Sequence, residues 1–136
     1  MKVDGQCACG AIKIEAEADP EKTQLCHCTD CQTATGTAFR VSVPVPGATM
    51  KLTGKPATYL KTTSDSGNPR LQAFCGTCGT QLYSTSPGEG VQPMYMLRVG
   101  MLRQRDALAP RKQIWSRSAR SWLPQLGTLP RFEKQS

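Results

Sequence analysis

The chain has 136 residues, of which 38% are hydrophobic and 6% aromatic, and its formal net charge is +7. At this length we expect one domain, residues 1–136, with a lean hydrophobic core. The first residues, MKVDGQCACG, lack the apolar stretch of a signal peptide, and no window approaches the roughly 18 apolar residues of a membrane span. We therefore expect a soluble cytoplasmic protein with reduced thiols.

The first clear element is a half-buried strand over residues 11–18, AIKIEAEA. Ile12, Ile14 and Ala16 alternate there with charged residues, which is the period of a strand. Further strands are predicted by the segments FRVSV (39–43), MKL (50–52), ATYLKT (57–62), LQAF (71–74), QLYSTS (81–86), MYMLRV (94–99) and QIWS (113–116). The pattern predicts a mainly β fold of several antiparallel strands with little helix.

The remaining segments are predicted as turns, one short helix and a tail. Thr29 or Asp30 is expected to cap a helical turn that Gly36 ends. Pro44, Pro46 and Gly47 are expected to break the strand that begins at Phe39. The end, SWLPQLGTLPRFEKQS, is typical of a packed irregular tail.

Seven cysteines lie in three tight groups, which predicts metal binding. The groups are CAC (7–9), CHC (26–28) extended by Cys31, and CGTC (75–78), the last at the tip of a predicted hairpin. An odd count, the tight spacing and the missing secretory signal all argue against disulfides. Zinc in structural sites takes four thiolate or imidazole ligands, so we predict zinc knuckles.

Spacing favours two zinc ions per chain. Cys26, Cys28 and Cys31 form a self-contained set that binds one metal and leaves a coordination position free, as in catalytic zinc sites. Cys7 and Cys9 need partners from elsewhere, and the economical assignment joins them to Cys75 and Cys78 in a closed, structural site. A rival grouping, in which Cys26 and Cys28 join the CGTC knuckle, stays open on spacing alone.

His27 is the only histidine of the chain. It is a candidate fourth ligand, a candidate proton relay or a plain loop residue, and we expect its ring to point away from the metal. Three thiolates make zinc a weak Lewis acid but a good acceptor of a further thiol, which loses its proton near neutral pH. The three-cysteine set therefore favours a sulfur-containing substrate.

Four segments resemble the glutathione-dependent formaldehyde-activating enzyme family, which includes centromere protein V: GQCACGAIKIE (5–15), LCHCTDCQTATG (25–36), AFCGTCGTQLY (73–83) and IWSRSARSWL (114–123). The resemblance covers about residues 3–132. It implies a β-tent fold with two zinc ions, one structural, held by Cys7, Cys9, Cys75 and Cys78, and one catalytic, held by Cys26, Cys28 and Cys31.

The same resemblance implies a carbon–sulfur lyase. Its reaction joins glutathione and formaldehyde to S-hydroxymethylglutathione and reverses that step, with the substrate thiol taking the free position beside Cys26, Cys28 and Cys31. The chain departs from the family in two places. The segment GMLRQRDALAP (100–110) is basic where the family is often acidic, and Gln113 stands where the family often has histidine.

Two other functions are alternatives to this hypothesis: a zinc module that contacts nucleic acid or protein, and a protein that exchanges zinc with cellular thiols. The basic residues between Arg98 and Arg120 favour a solvated face or, at Arg98 and Arg103, a pocket for substrate carboxylates over a nucleic-acid surface, because aromatics are rarely interleaved there. The oligomeric state is not predicted. The larger aromatic residues are expected in the core, with Trp122 in the closing segment: Tyr59, Tyr83, Tyr95, Trp115 and Trp122.

Overall fold

The computed structural model describes residues 1–135, and this part of the chain is mainly β. Ser136, the last residue of the predicted tail, lies outside the described residues. The strands are β1 (Lys2–Gln6), β2 (Lys13–Glu17), β3 (Gln24–Cys26), β4 (Arg40–Pro46), β5 (Lys51–Thr53), β6 (Ala57–Lys61), β7 (Arg70–Phe74), β8 (Gln81–Thr85), β9 (Met94–Arg98) and β10 (Lys112–Ile114).

Helix is sparse in residues 1–135, as the sequence predicts. The single α-helix of this part, α1, spans Thr29–Thr35 and ends at Gly36, which adopts the left-handed conformation with φ 70°. Short 3₁₀ helices occupy Pro20–Lys22, Gly47–Thr49, Val99–Met101, Arg105–Ala107, Ser116–Ser118 and Leu123–Thr128.

The strands form two sheets within the described chain. A three-stranded sheet has the order β1-β2-β5, and a seven-stranded sheet has the order β10-β3-β4-β9-β8-β7-β6. All pairings are antiparallel except that of β10 with β3. The fold is β-tent-like, as expected from the sequence.

The core lies between the two sheets. Ile14 of the small sheet and Val43, Val45 and Leu97 of the large sheet are essentially inaccessible to solvent and belong to one apolar cluster. Each such side chain contributes roughly 1.5–3 kcal/mol by leaving water. The predicted alternation over 11–18 is confirmed, since Ile12, Ile14, Ala16 and Ala18 are all buried.

The large sheet has one apolar and one polar face, and its register determines which residues share each face. Val43 pairs with Leu97, and both point into the core, whereas the next pair, Ser42 and Arg98, points to the opposite face. Cys26 pairs with Arg40 on that polar face. The alternation of β4 and β9 therefore places cations beside a predicted metal ligand.

Three local predictions are wrong. Pro44 and Pro46 do not break β4, because they lie beyond Ser42, the last residue that pairs with β3, and proline is tolerated where one edge of a strand is free. The tail is irregular but not packed, since Trp122 and Phe132 are 48% and 64% exposed. The third wrong prediction concerns α1, whose N-cap is Cys28 and not Thr29 or Asp30.

Candidate metal centres and active-site cleft

The first cysteine group joins the two sheets. Cys7 and Cys9 lie in the turn between β1 and β2, and Cys75 and Cys78 lie in the turn between β7 and β8. Their four sulfur atoms lie within 4.8 Å of one another. We call this set the four-cysteine group.

The sulfur spacing of the four-cysteine group fits zinc. Sulfurs at two corners of a tetrahedron, each about 2.3 Å from the ion, lie about 3.8 Å apart. The Cys7–Cys9 and Cys9–Cys75 sulfur distances are 3.6 and 3.7 Å. The residues present therefore suit a tetrahedral ion with thiolate ligands.

Backbone and hydroxyl groups support these sulfurs. The Ile12 amide donates to Cys7 Sγ at 3.2 Å, and Cys78 Sγ lies 3.2 Å from the Thr80 hydroxyl oxygen. Thr80 also accepts a hydrogen bond from the Ala8 amide at 3.0 Å, so it links the two turns. Such bonds stabilise the thiolate form that a metal requires.

The thiol pKa values within the group diverge. Hydrogen bonds from the Thr80 side chain and amide lower the pKa of Cys78 to about 5. The Ala11 amide acts to lower the pKa of Cys9, but hydrogen bonding with Cys7, burial and the other thiols raise it to about 11. Four thiolates side by side need a cation, and a divalent ion supplies it.

The second cysteine group lies at the start of α1. Cys26 ends β3, Cys28 precedes the helix and Cys31 lies in its first turn, with the three sulfurs within 4.8 Å of one another. We call this set the three-cysteine group. The two groups are those of the economical assignment, and the rival grouping of Cys26 and Cys28 with the knuckle is not the one that the folded chain adopts.

The cap of α1 belongs to this group. Cys28 Sγ, and not the Thr29 or Asp30 side chain, accepts the hydrogen bond from the Cys31 amide at 3.3 Å. Helix capping and the placement of two sulfurs therefore depend on the same residue. A search for oxygen caps overlooks it, because thiolate is a less common acceptor at this position.

The thiol pKa values within the three-cysteine group also differ. A hydrogen bond with Cys26, followed by the positive charges of Arg40 and Arg98, lowers the pKa of Cys31 to about 5. The same contact with Cys31 raises the pKa of Cys26, and burial raises it further. Full ionisation of the group again requires a bound cation.

The three-cysteine group lines a cleft of about 600 Å³ on the polar face of the large sheet. The walls come from β3, β4, β6, β7, β8 and β9, from the start of α1, from the loop over residues 64–69 and from the end of β10. The lining residues are mostly polar or cationic: Gln24, Cys26, Cys28, Cys31, Arg40, Ser42, Lys61, Ser64, Asp65, Ser66, Asn68, Pro69, Arg70, Gln72, Ser84, Ser86, Met96, Arg98, Ile114 and Trp115. A neighbouring cleft of about 520 Å³ shares Lys61, Gln72 and Arg98 with it and has no cysteine among its described lining residues.

Trp115 forms part of the cleft wall directly after β10. Its backbone adopts the left-handed conformation with φ 55°, which is uncommon for a bulky residue. The Arg117 guanidinium lies 5.2 Å from the centre of its ring. A strained backbone and a cation–π contact thus hold this ring at the cleft.

Only one of the three arginines that line the cleft was predicted to lie there. Arg98 lies in the cleft as expected, but Arg103 does not, because it is bound to Asp4 at 2.6 Å. Arg40 and Arg70 line the cleft with Arg98, and the sequence reasoning missed both. Strand alternation was the available signal, since Arg40 and Ser42 alternate with the apolar Val41 and Val43.

His27 is buried outside the three-cysteine group. Its Nε2 lies 2.6 Å from Gln113 Oε1, and its ring contacts Phe39 edge-on, with 6.3 Å between ring centres. His27 belongs to neither cysteine group, which agrees with the expectation that its ring points away from the sulfur atoms. Gln113, which departs from the family pattern, is therefore the partner of this histidine.

The other predicted aromatic residues divide between core and surface. Tyr83 and Tyr95 are buried and pack edge-to-face with 5.0 Å between ring centres. Tyr59 is 59% exposed, so its predicted core position is wrong, and Trp122 is half exposed. Because residues beyond β10 pair with no strand in the described chain, little apolar surface there is covered.

The basic residues between Arg98 and Arg120 do not form one stripe. Arg98 is buried, Arg103 pairs with Asp4, and Arg111 pairs with Glu21 at 3.2 Å. These basic residues are therefore separated from one another and mainly make contacts within the chain.

None of the helices in residues 1–135 has both the length and the apolar character needed to cross a membrane.

Fold and site together define a class: a small, mainly β protein with two cysteine groups suited to metal ions, one joining its sheets and one lining a cleft. The chain belongs to the glutathione-dependent formaldehyde-activating enzyme family, whose model matches residues 2–118. No curated protein matches the chain in a sequence comparison.

A solved structure supports the fold. A crystal structure of a Rhodobacter sphaeroides protein, determined as a structural genomics target, superposes with a TM-score of 0.59 and 19% identity. The match covers 81% of this chain and 98% of the other. At this identity the similarity shows the fold alone.

Proposed function

We propose that the chain is a zinc-dependent carbon–sulfur lyase that joins a thiol such as glutathione to formaldehyde, giving S-hydroxymethylglutathione, and reverses the reaction. The observation that carries the proposal is the contrast between the two cysteine groups. All three sulfurs of the three-cysteine group line the large polar cleft, whereas none of the four-cysteine group does. Family membership supports the same chemistry.

The two groups have different tasks in this proposal. Cys7, Cys9, Cys75 and Cys78 hold a structural zinc that fastens the small sheet to the large one. Cys26, Cys28 and Cys31 would hold the catalytic zinc, which would supply a free position that accepts a substrate thiol and favours its ionisation near neutral pH. Because both sheets contribute to one core, residues 1–136 act as one zinc-binding domain.

The reaction balances without a further reactant. The thiol sulfur forms a bond to the formaldehyde carbon, the carbonyl π bond breaks, and the oxygen takes up a proton to become a hydroxyl. In reverse, the carbon–sulfur bond breaks, the hydroxyl proton leaves and the carbonyl re-forms. The cleft brings the two reactants together, which lowers the entropic part of the barrier.

The residues of the cleft bind and orient the substrate. Ser42, Ser84 and Ser86 present hydroxyl groups on its floor, and Trp115 and Ile114 form an apolar wall near Cys26. The loop over residues 64–69 contributes a second polar wall. A peptide-like thiol with polar and charged groups fits such a lining better than an apolar one.

Exchange spectroscopy tests the proposal. With ¹³C-labelled formaldehyde and glutathione, NMR measures the rate at which label moves between formaldehyde hydrate and the S-hydroxymethyl adduct. The zinc-loaded protein is expected to raise this rate above the uncatalysed rate, and Cys31→Ser is expected to return it to that rate. An unchanged exchange rate with fully zinc-loaded wild-type protein would contradict the proposal.

A further inference from the structure

Three arginines share the polar face of the large sheet with Cys26. Arg40 pairs across the sheet with Cys26, and Arg98 pairs with Ser42, two residues farther along β4. Arg70 lies on β7 and completes the set from the other side of the cleft. We call Arg40, Arg70 and Arg98 the arginine cluster.

The arginine cluster has no carboxylate partner among residues 1–135. The ion pairs of this part of the chain include none of its three guanidinium groups. Arg98 donates to the Ser42 hydroxyl at 3.0 Å, and Arg40 donates to Gln81 Oε1 at 2.6 Å. These are neutral partners for side chains that are only 8% and 7% exposed.

Two hydrogen-bond donors of the cluster also lack an acceptor. The Nε atoms of Arg40 and Arg98 are buried and have no hydrogen-bond partner among the described residues. Burying a guanidinium without a carboxylate is costly, and a buried donor without an acceptor adds to the cost. Such an arrangement persists where a ligand supplies the missing acceptors.

The charges of the cleft do not balance. Three thiolates and one divalent ion leave a single net negative charge beside three guanidinium groups. Lys61, which also lines the cleft, has its own partner in Asp30 at 3.6 Å. Asp65 is the one carboxylate among the described lining residues, so an excess of positive charge stays near the metal-binding sulfurs.

We propose that the arginine cluster is a subsite for a carboxylate of the substrate and selects anionic thiols over neutral ones. The inference rests on the proposed function for the identity of the reacting group, but the subsite itself follows from the cluster. Guanidinium groups bind carboxylates through two parallel hydrogen bonds, which fix orientation as well as distance. The cluster thus positions the thiol sulfur against the three-cysteine group.

A binding experiment without catalysis tests the subsite. S-methylglutathione retains both carboxylates of glutathione but has no free thiol, and its dimethyl ester lacks the carboxylate charges. Calorimetry on the zinc-loaded protein is expected to show binding of the first and at least about tenfold weaker binding of the second, the size of one charge-assisted hydrogen bond. Equal affinity for both probes would overturn the proposal.

Variants locate the binding energy. Arg70→Gln removes the half-buried member of the cluster and is expected to weaken S-methylglutathione by about tenfold. Arg40→Gln is a second variant at a buried position, with folding checked by circular dichroism. Arg111→Gln removes the same charge outside the cleft and is expected to leave the affinity unchanged. Equal affinity in wild type and Arg70→Gln would contradict the assignment.

Kinetic measurements distinguish failure of the subsite from failure of the proposed lyase activity. If wild-type protein accelerates adduct exchange for glutathione and 2-mercaptoethanol alike, and Arg70→Gln changes neither, the subsite is wrong while the lyase stands. If no thiol reacts but S-methylglutathione binds in an arginine-dependent manner, the lyase is wrong while the subsite stands. A higher KM for glutathione in Arg70→Gln, with 2-mercaptoethanol unaffected, supports both.

Discussion

Arg103 and Asp4 form an ion pair in which Arg103 Nη2 lies 2.6 Å from Asp4 Oδ2 and Arg103 Nε donates to the same oxygen at 2.8 Å. Gln104 donates to the other carboxylate oxygen at 2.7 Å. Gly5 permits the close approach, since a Cβ there would overlap the Met101 carbonyl oxygen. The basic segment 100–110 is thus fastened to β1, and its charge has a structural partner outside the cleft.

This ion pair predicts a pH-dependent stability. Hydrogen bonds from Gln104 and then Arg103 hold the pKa of Asp4 below its ordinary value. The carboxylate therefore stabilises the fold above its unfolded pKa of about 3.9, and this contribution is lost as the pH falls through the folded pKa. Asp4→Asn should be less stable than wild type at pH 7, and the difference should shrink below pH 4.

Urea unfolding of both proteins from pH 7 to pH 3 measures this difference. Metal analysis at each pH identifies the range in which wild type and variant both keep their zinc, and within that range the comparison isolates Asp4. Asp106→Asn is the control, because Asp106 has no ion pair in the described chain and should leave stability nearly unchanged. A difference that stays constant across the range would contradict the role given to Asp4.

Cys78→Ser is expected to unfold the chain. Structural zinc contributes roughly 10 kcal/mol or more of binding free energy, which equals or exceeds the total stability of a small domain. Removing one ligand of the four-cysteine group releases the tie between the two sheets. Circular dichroism and one-dimensional NMR should show loss of strand signal and of dispersed methyl resonances. A folded Cys78→Ser protein that retains two zinc ions would contradict the structural assignment.

Cys28→Ser is expected to leave the fold intact while the three-cysteine group loses its metal. A serine hydroxyl also accepts the bond from the Cys31 amide, so the cap of α1 survives although the soft thiolate is lost. Cys28→Ala removes cap and ligand together and should be about 1 kcal/mol less stable than Cys28→Ser. Metal analysis and thermal unfolding of the two variants check both statements.

The zinc ions should leave the protein in two steps. In the proposed assignment, the three-cysteine group would hold its ion with three ligands and lies in a cleft that admits a chelator, whereas the other ion would have four ligands. With a coloured chelator, one equivalent should appear quickly and the second slowly. Equal and slow release of both equivalents would count against the division into two kinds of site.

Local sequence patterns were sufficient to predict the two cysteine groups and much of the sheet. The CGTC hairpin and the alternation over 11–18 are short-range signals, because the residues that define them are neighbours in the chain. Cys28 as the cap of α1 was not predicted, because sulfur is a less common cap acceptor than the side-chain oxygens of Thr29 and Asp30. The continuation of β4 through Pro44 depends on where β3 ends, which local sequence does not reveal.

The cleft depends on long-range register and was only partly predictable. Arg40 and Arg98 reach one face because β4 pairs with β9, although 58 positions separate them by number. Arg103 was expected beside Arg98, but the 3₁₀ turn at Val99–Met101 directs the chain toward Asp4 instead. Strand alternation identifies which residues share a face only after the strand order is known.

Gln113 and His27 provide the last prediction. His27 is 2% exposed, and its Nε2 has Gln113 Oε1 as its partner at 2.6 Å. Gln113→Leu leaves this buried ring nitrogen without a partner, so the free energy of unfolding should fall by about 1–3 kcal/mol. Zinc content should stay at two, because His27 is not among the sulfur ligands.

Lys112→Leu is the matched control, since it places the same side chain at the neighbouring, exposed position of β10 and should change stability by less than about 0.5 kcal/mol. Urea unfolding measures both variants. If Gln113→Leu and Lys112→Leu are equally stable, the hydrogen bond to His27 contributes nothing measurable. If Gln113→Leu instead loses one zinc while it stays folded, His27 also affects metal binding, in addition to its contact between β10 and β3.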